Sequence, residues 1–543
     1  MRTADANQPP PYEGRNLFLT DGSLQDALAR EGAGWAHERL AAWGELLGRS
    51  EIHALAARAN RFAPELHTHD RFGNRIDEVI FDPAWHELMM LAMREGEHCT
   101  PWVETRAGAQ VARAAAYLLH AQVENGTQCP LTMTYASVPV LRRHAGAFSP
   151  LSADWLSKIV ERDYDPRLLP VIAKTSALIG MGMTERQGGS DVRANVTRSE
   201  RAGDGSYRLS GHKWFFSAPM CDAHLVLAQA DGGLSCFFLP RLLPDGSRNA
   251  VRIERLKDKL GNRSNASSEV EFDDACAWLL GDEGRGIPVI IEMVQHTRLD
   301  CAIGSAGLIR AATAQALHHA AHRRTFGRRL VEQPLMQNVL ADLVLESEAA
   351  TALAVRLARA YEADAPDAET ALARLVTPAV KYWVCKRAPQ VTAEAMEVIG
   401  GNGYVEECAL PRLYREAPLN SIWEGSGNVM CLDVLRAARR EPAAVEALLS
   451  ELGAARGADP RLDRHIAALE KALRDPGAGD RDARRVAGAI AVALAAALLL
   501  RHAPAPIGEA YCASRLEGGA AGVFGDLPAG VDSAAIIARR FAV

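Results

Sequence analysis

The stretch SYRLSGHKWFFSAP (residues 206–219) marks a change of rhythm in this 543-residue chain. Before it, from about Asn16 to Ile179, apolar residues recur at helical spacing. LQDALAREGAGWAHERLAAWGELLGR (24–49), WHELMMLAMREG (85–96) and VARAAAYLLHAQVENG (111–126) are examples. From about Met181 to Gly281 the period becomes two. HLVLAQA (224–230), LSCFFLP (234–240), AVRIERL (250–256) and SSEVEF (267–272) are short and rich in β-branched and aromatic residues. Turn signals at Gly203-Asp204-Gly205, Asp231-Gly232-Gly233 and Pro244-Asp245-Gly246 separate them. Strands with no long helix between them predict an antiparallel barrel or sandwich and argue against parallel βαβ units.

Helical text returns from Ile287 to about Arg440 in three long runs, residues 287–324, 335–364 and 373–400, which predicts a bundle. Beyond Arg440 the composition becomes rich in Ala, Gly and Arg. The expected organisation is α+β: an N-terminal helical domain (1–180), a β-domain (181–285), a four-helix-bundle-like domain (286–440) and a further helical domain (441–543). The longest apolar run, Val486 to Leu500, has fifteen residues. That falls short of the roughly 20 that span a bilayer, so a buried core helix is expected and no membrane partner.

Composition narrows the function classes. A hydrophobic share of 48% with 24% charged residues belongs to a globular protein, and a net charge of −6 advertises no nucleic-acid or membrane partner. Ten scattered cysteines include no C-x-x-C pair, which suggests neither a zinc site nor a disulfide framework. The N-terminal MRTADANQPPPYEG has no apolar core, so a cytoplasmic protein without a signal peptide is expected.

Four constellations could carry chemistry. Met181-Gly182-Met183-Thr184 through Gly188-Gly189-Ser190-Asp191 makes a tight loop whose N–H groups and hydroxyls can converge on a polar ligand edge. It can equally be a turn into the β-region. In Gly211-His-Lys-Trp-Phe-Phe-Ser217, alternation sends Trp214 and Phe216 to one face and Phe215 and Ser217 to the other. An aromatic beside a hydroxyl suits a planar conjugated ring, though core packing explains the aromatics as well. Arg323-Arg324-Thr-Phe-Gly327-Arg-Arg329 ends a helix, where cations suit the dipole or a pyrophosphate. Last come Ile399-Gly400-Gly401-Asn402-Gly403-Tyr404 and Ile422-Trp423-Glu424-Gly425-Ser426-Gly427-Asn428. The glycine-rich part follows a helix, so a dinucleotide-binding βαβ unit is excluded. His67-Thr-His69-Asp70 has no further ligands at metal spacing and reads as a polar loop, and no metal site is expected.

These motifs, in this order around a β-domain, resemble the FAD-dependent acyl-CoA dehydrogenases from about Phe72 to Arg440. Lys257-Asp-Lys-Leu-Gly261-Asn-Arg263-Ser264 agrees as well. GHKWFFS, RLKDKLGNRSNAS, EAMEVIGG and NSIWEGSGN are similar to the adaptive-response branch of that family, which shares the long C-terminal extension. The resemblance implies bound FAD. It places Met181, Gly182, Met183, Thr184, Gly188, Gly189 and Ser190 in the flavin loop. Phe215, where the family usually has Trp, lies against the isoalloxazine beside Phe216, with the Ser217 hydroxyl toward flavin N5. Arg323 matches the arginine that reaches the pyrophosphate across a subunit contact, which implies an oligomer, typically a tetramer. Gly400 and Gly401 match the helix end over the adenosine half. Ile422, Trp423, Gly425, Ser426, Gly427 and Asn428 match the segment beneath the flavin.

Glu424 matches the catalytic base, which takes the α-proton of an acyl-CoA thioester while hydride leaves the β-carbon. Phe215 for Trp and Trp423 for Tyr are departures that predict weak turnover on a short or branched acyl-CoA. The branch also implies binding of double-stranded DNA during alkylation stress through the C-terminal domain. Residues 441–543 carry twelve Lys and Arg against thirteen Asp and Glu, so bulk charge does not support this. Arg481, Arg484, Arg485, Arg539 and Arg540 could form a basic stripe or a solvated face. The alternative is a fully active catabolic acyl-CoA dehydrogenase without a DNA role.

Overall fold

The computed structural model describes residues 7–148, 152–475, 477, 479–517 and 522–541. Its contacts group into two compact units, Ala54–Glu104 with Glu124–Thr297, and the described parts of Met1–His53, Thr105–Val123 and Arg298–Val543. This grouping differs from the four expected stretches, because residues 441–543 join the helices of 298–440 instead of standing apart.

The first unit carries a hairpin of β1 (Glu65–His69) and β2 (Arg75–Ile80), followed by β3 (Ile179–Gly182), β4 (Arg198–Arg201), β5 (Tyr207–Ser217), β6 (Ala223–Ala230), β7 (Gly233–Pro240), β8 (Val251–Leu256) and β9 (Ser267–Leu280). Strands β6, β4, β5, β9 and β7 pair in that order, and β7 returns to β6, closing the ladder; β3 adds to β6 and β8 to β9. Leu209, Phe216, Val226, Phe237, Val270 and Phe272 fill the interior, with Leu66 and Val79 of the hairpin packed against it. Burying each such side chain contributes roughly 1.5–3 kcal/mol.

Two expectations are corrected here. The pairing is not wholly antiparallel, since β3–β6 and β4–β6 are parallel. The crossover that parallel pairing needs is made of strands, so no helical run announced it. Residues 65–80 are also not helical or loop. They form the β1–β2 hairpin, with His67 and His69 exposed on one face of β1.

The second unit is helical. The Gly286–His322 helix enters it, and Pro334–Arg359, Asp367–Ile399 and Gly427–Arg440 follow. The Ala483–His502 helix packs on the last three of these. Asp480–His502 is, among the described residues, the one helix long and apolar enough to cross a membrane. In its most apolar window 78% is buried inside the protein, so its apolar surface is used in packing. Ion pairs add to the attachment: Arg356 reaches Glu451 at 2.9 Å, Arg515 reaches Glu346 at 2.9 Å and Arg539 reaches Glu348 at 2.9 Å.

Candidate active site

Candidate residues occur in both units, and each group has its own geometry. In the strand-bearing unit the decisive feature is a β-bulge in β5. Lys213 opposes Val270 and Phe216 opposes Ser268, so three steps on β5 match two on β9. The extra residue reverses the alternation. Trp214 and Phe215 both lie outside the barrel, where the Lys257 ammonium stands 3.6 Å from one ring centre and 4.7 Å from the other. Phe216 turns inward instead, stacked on His224 with ring centres 4.0 Å apart. Burial pushes His224 down to about 3, so this ring pair is neutral at working pH. Phe216 also explains a glycine: a Cβ on Gly182 would stand 2.5 Å from the Phe216 ring.

Lys213 goes inward to meet Glu185, both side chains being fully buried, with Nζ 2.6 Å from Oε1 and 2.7 Å from the Leu227 carbonyl. Glu185 in turn accepts from the Val196 N–H at 2.7 Å. Burial pulls Lys213 down to about 8 against the attraction of Glu185. Burial works on Glu185 in the opposite sense, but the Lys213 charge and its hydrogen bonds hold it down to about 2. The pair fixes the turn after Thr184, whose carbonyl accepts from the Trp214 N–H at 2.8 Å. Gly188, Gly189 and Ser190 in that turn are exposed.

Beside these rings lies a cavity of about 210 Å³, lined by Lys257, Lys259, Arg263, Asn265 and Ser267 among others. The Ser217 hydroxyl is 3.5 Å from that of Ser267. Asn265 is 1% exposed, and neither its amide oxygen nor its amide nitrogen has a hydrogen-bond partner. A buried amide with both ends unpaired is costly.

In the helical unit, Glu424 has φ +58° and Gly425 φ +101°. A non-glycine residue in the left-handed region is uncommon and points to a functional constraint. The surrounding turn is held from behind. Lys381, on the Asp367–Ile399 helix, is 1% exposed and donates to the carbonyls of Asn420, Trp423 and Gly425 at 3.0, 2.9 and 2.8 Å. Arg298 donates to the Glu424 carbonyl at 3.1 Å and pairs with Asp433 at 2.9 Å. The Trp423 indole donates to the Asn420 amide oxygen at 2.9 Å, and the Asn420 amide donates to Ser305 at 3.1 Å.

Arg323 stands at the end of the Gly286–His322 helix beside a short hairpin, with Phe326 exposed at its tip. Its guanidinium donates to the Asn7 carbonyl at 2.7 Å, and the Asn7 side chain bonds both the N–H and the carbonyl of Arg324. The neighbouring Gln8 accepts from Asn402 at 3.1 Å. The N-terminal segment therefore touches both the Arg323 hairpin and the loop after Gly400-Gly401. Gly400 has φ +76° and ψ −149°, and nothing lies within 4 Å of where its Cβ would be.

Three family descriptions match the chain in order. They are the adaptive response protein AidB N-terminal domain (residues 7–166), the acyl-CoA dehydrogenase middle domain (180–275) and the acyl-CoA dehydrogenase C-terminal domain (284–438). AidB of Escherichia coli (strain K12) is 51% identical over 512 residues, 94% of each chain. This chain belongs to the acyl-CoA dehydrogenase family. Acyl-CoA dehydrogenase family member 11 of Caenorhabditis elegans is 33% identical over 410 residues, 71% of this chain and 64% of that one. The crystal structure of C. elegans ACDH-11 in complex with C11-CoA superposes with a TM-score of 0.85 at 28% identity, covering 95% of this chain and 94% of that one. Butyryl-CoA dehydrogenase from Megasphaera elsdenii, at 23% identity and TM-score 0.56, shares the fold over 72% of this chain and 97% of that one. Family members are FAD-dependent oxidoreductases.

Measured against the family pattern, the expected residues divide. Met183, Thr184 and Ser217 are half-buried, Phe215 and Ile422 are exposed, and Trp423, Gly425 and Ser426 surround Glu424 along the chain. The side chains of Met181 and Phe216 are buried and a Cβ on Gly182 would meet the Phe216 ring, so what these three residues turn outward is backbone. The expected grouping of Trp214 with Phe216 fails because of the bulge.

The five arginines of the candidate basic stripe have different surroundings. Arg539 pairs with Glu348 and with Asp26 at 2.8 Å, so its charge is committed within the fold. The side chain of Arg540 lies outside the described residues. Arg481, Arg484 and Arg485 are exposed, Arg485 pairing with Asp482 at 3.0 Å and Arg484 donating to Asn428 at 2.8 Å. Asn428 thus meets the C-terminal extension. Sequence reasoning missed Lys381, Arg298 and Asn7. A lysine or arginine on a long helix carries no local mark of what it reaches.

Proposed function

We propose that this chain is an AidB-type FAD-dependent acyl-CoA dehydrogenase in which Glu424 takes the α-proton of a short or branched acyl-CoA. The observation that carries the reading is the left-handed backbone of Glu424 in a turn whose Trp423, Glu424 and Gly425 carbonyls are engaged by buried cations. The residues present suit FAD. Phe215 offers an aromatic face and Ser217 a hydroxyl, and Gly400 takes a backbone conformation with open space beside it. Arg323 would meet the pyrophosphate and Gly401 the adenosine portion. When bound, FAD supplies acceptance of the hydride that leaves the β-carbon.

The chain's own task is proton abstraction and carbonyl polarisation. A carboxylate on a rigid turn loses little entropy on reaching the reacting geometry. The N–H of Glu424, fixed by the same turn, would polarise the thioester carbonyl. Trp423 in place of Tyr adds bulk beside the base and favours small acyl groups. Glu424→Gln should slow flavin bleaching by acyl-CoA about 10²–10⁴-fold while FAD stays bound. Bleaching at the wild-type rate in that variant would refute the reading.

Double-stranded DNA binding in an alkylation response is the second part of the proposal, with an oligomer, typically a tetramer, as the working form. Likeness to AidB motivates it, and the exposed Arg481, Arg484 and Arg485 form its candidate surface. Replacing Arg481 and Arg485 by Ala should weaken a salt-sensitive DNA affinity without changing flavin reduction. Unchanged DNA affinity would exclude that surface.

A further inference from the structure

We propose that Lys381 and Arg298 form a cationic clamp that positions Glu424 for proton abstraction, acting through the backbone carbonyls of its turn. The inference rests on the reading of Glu424 as the base. It extends that reading to two residues on other helices that touch no reacting atom.

The geometry is specific. Three successive carbonyls, of Trp423, Glu424 and Gly425, accept from two buried cations: the first and third from Lys381, the second from Arg298. With Asn420 as its third partner, Lys381 uses all three ammonium donors on main-chain oxygen. Arg298 is itself oriented by Asp433, whose other oxygen accepts from Arg374 at 3.1 Å. The held turn is one the chain does not adopt freely, since both Glu424 and Gly425 have positive φ. A Cβ at Gly425 would stand 2.4 Å from Met430 Cε, so any other residue there would have to displace that side chain.

A buried ammonium bonded only to carbonyls is a poor way to stabilise a core, where an apolar side chain of the same length would avoid the desolvation penalty. It is a good way to fix carbonyl directions. Fixing the carbonyls on both sides of Glu424 fixes the peptide planes on both sides of it, and with them the exit direction of its carboxylate and the aim of its N–H.

The test uses the full-length flavoprotein with Lys381→Met, Arg298→Lys and Glu424→Gln variants. Three quantities are measured: FAD affinity, reduction by acyl-CoA, and the charge-transfer band with a 3-thiaacyl-CoA. That ligand can lose its α-proton but has no β-hydrogen to transfer. The clamp predicts that Lys381→Met loses the band and slows reduction about 10²-fold, with FAD affinity and KM within about threefold of wild type. Arg298→Lys, which keeps the charge but shortens the reach, should fall between the two. If Glu424→Gln abolishes the band while both clamp variants keep it, the clamp is wrong and the base reading stands. If Glu424→Gln keeps the band, the base reading itself fails. Should Lys381→Met not fold, Arg298→Lys decides by the same band. Loss of folded protein or of FAD in both variants would make the pair a structural anchor and overturn the proposal.

Discussion

Both units hold a loop of candidate site residues with a buried lysine, but the two lysines use different partners. Lys213 in the barrel pairs with a carboxylate, Glu185, and one carbonyl. Lys381 in the helical unit bonds three carbonyls and no carboxylate. A carboxylate can be protonated and a carbonyl cannot. The barrel loop is therefore tied to the fold by a bond that acid can loosen, whereas the Lys381 bonds to the Glu424 turn involve no group that acid neutralises. The base itself must change protonation during turnover, and this half of its frame does not follow that change.

The largest effect that would sharpen this contrast comes from breaking the barrel pair. Lys213→Met leaves Glu185 buried without its cation and should lose about 3–5 kcal/mol, read by chemical denaturation. Adding Glu185→Gln should recover a large part of it. If the single variant is as stable as wild type, the pair is not what holds the loop.

Acid should separate the two regions next. Glu185 is held at about 2 in the folded protein against an ordinary value of 4.5. The unfolded chain therefore binds the proton first, and stability is lost as the pH falls from about 4.5 toward about 2. Lys213→Met with Glu185→Gln should flatten that part of the stability profile. Lys381→Met should leave its shape unchanged, and a flattened profile in that variant would break the contrast.

Smaller again is Gly182→Ala, whose new Cβ meets the Phe216 ring and should cost about 1–3 kcal/mol by overpacking. If FAD affinity falls while stability is unchanged, Gly182 serves the cofactor and not the core. Asn428→Ala, which removes the partner of Arg484, should change stability by roughly 0.5–1.5 kcal/mol.

These contrasts also show how far the sequence could be read. Period-two text bounded by Gly and Pro placed the strands, and the third helical region begins at Gly286 as its text suggested. The β5 bulge could not be read, because one inserted residue is a pairing event between strands distant in sequence, and it turned Phe216 inward. The β3–β6 parallel pairing was hidden for the same reason. Residues 441–543 looked like a separate domain because composition changes at Arg440. The Ala-rich Ala483–His502 helix is apolar all round from Val486 to Leu499 because helices from earlier in the chain cover it. The motif around Glu424 was legible as a string of residues, yet what makes it a rigid turn comes from Lys381, 43 positions away, and Arg298, 126 positions away.

The central claim is that Glu424 is a working base. The most direct measurement mixes the yellow protein anaerobically with short and branched acyl-CoAs and follows the flavin absorbance, wild type beside Glu424→Gln. The account predicts bleaching by at least one thioester in the wild type and about 10²–10⁴-fold slower bleaching in the variant. A wild-type flavin that stays oxidised with every thioester, or a variant that bleaches equally fast, would contradict it.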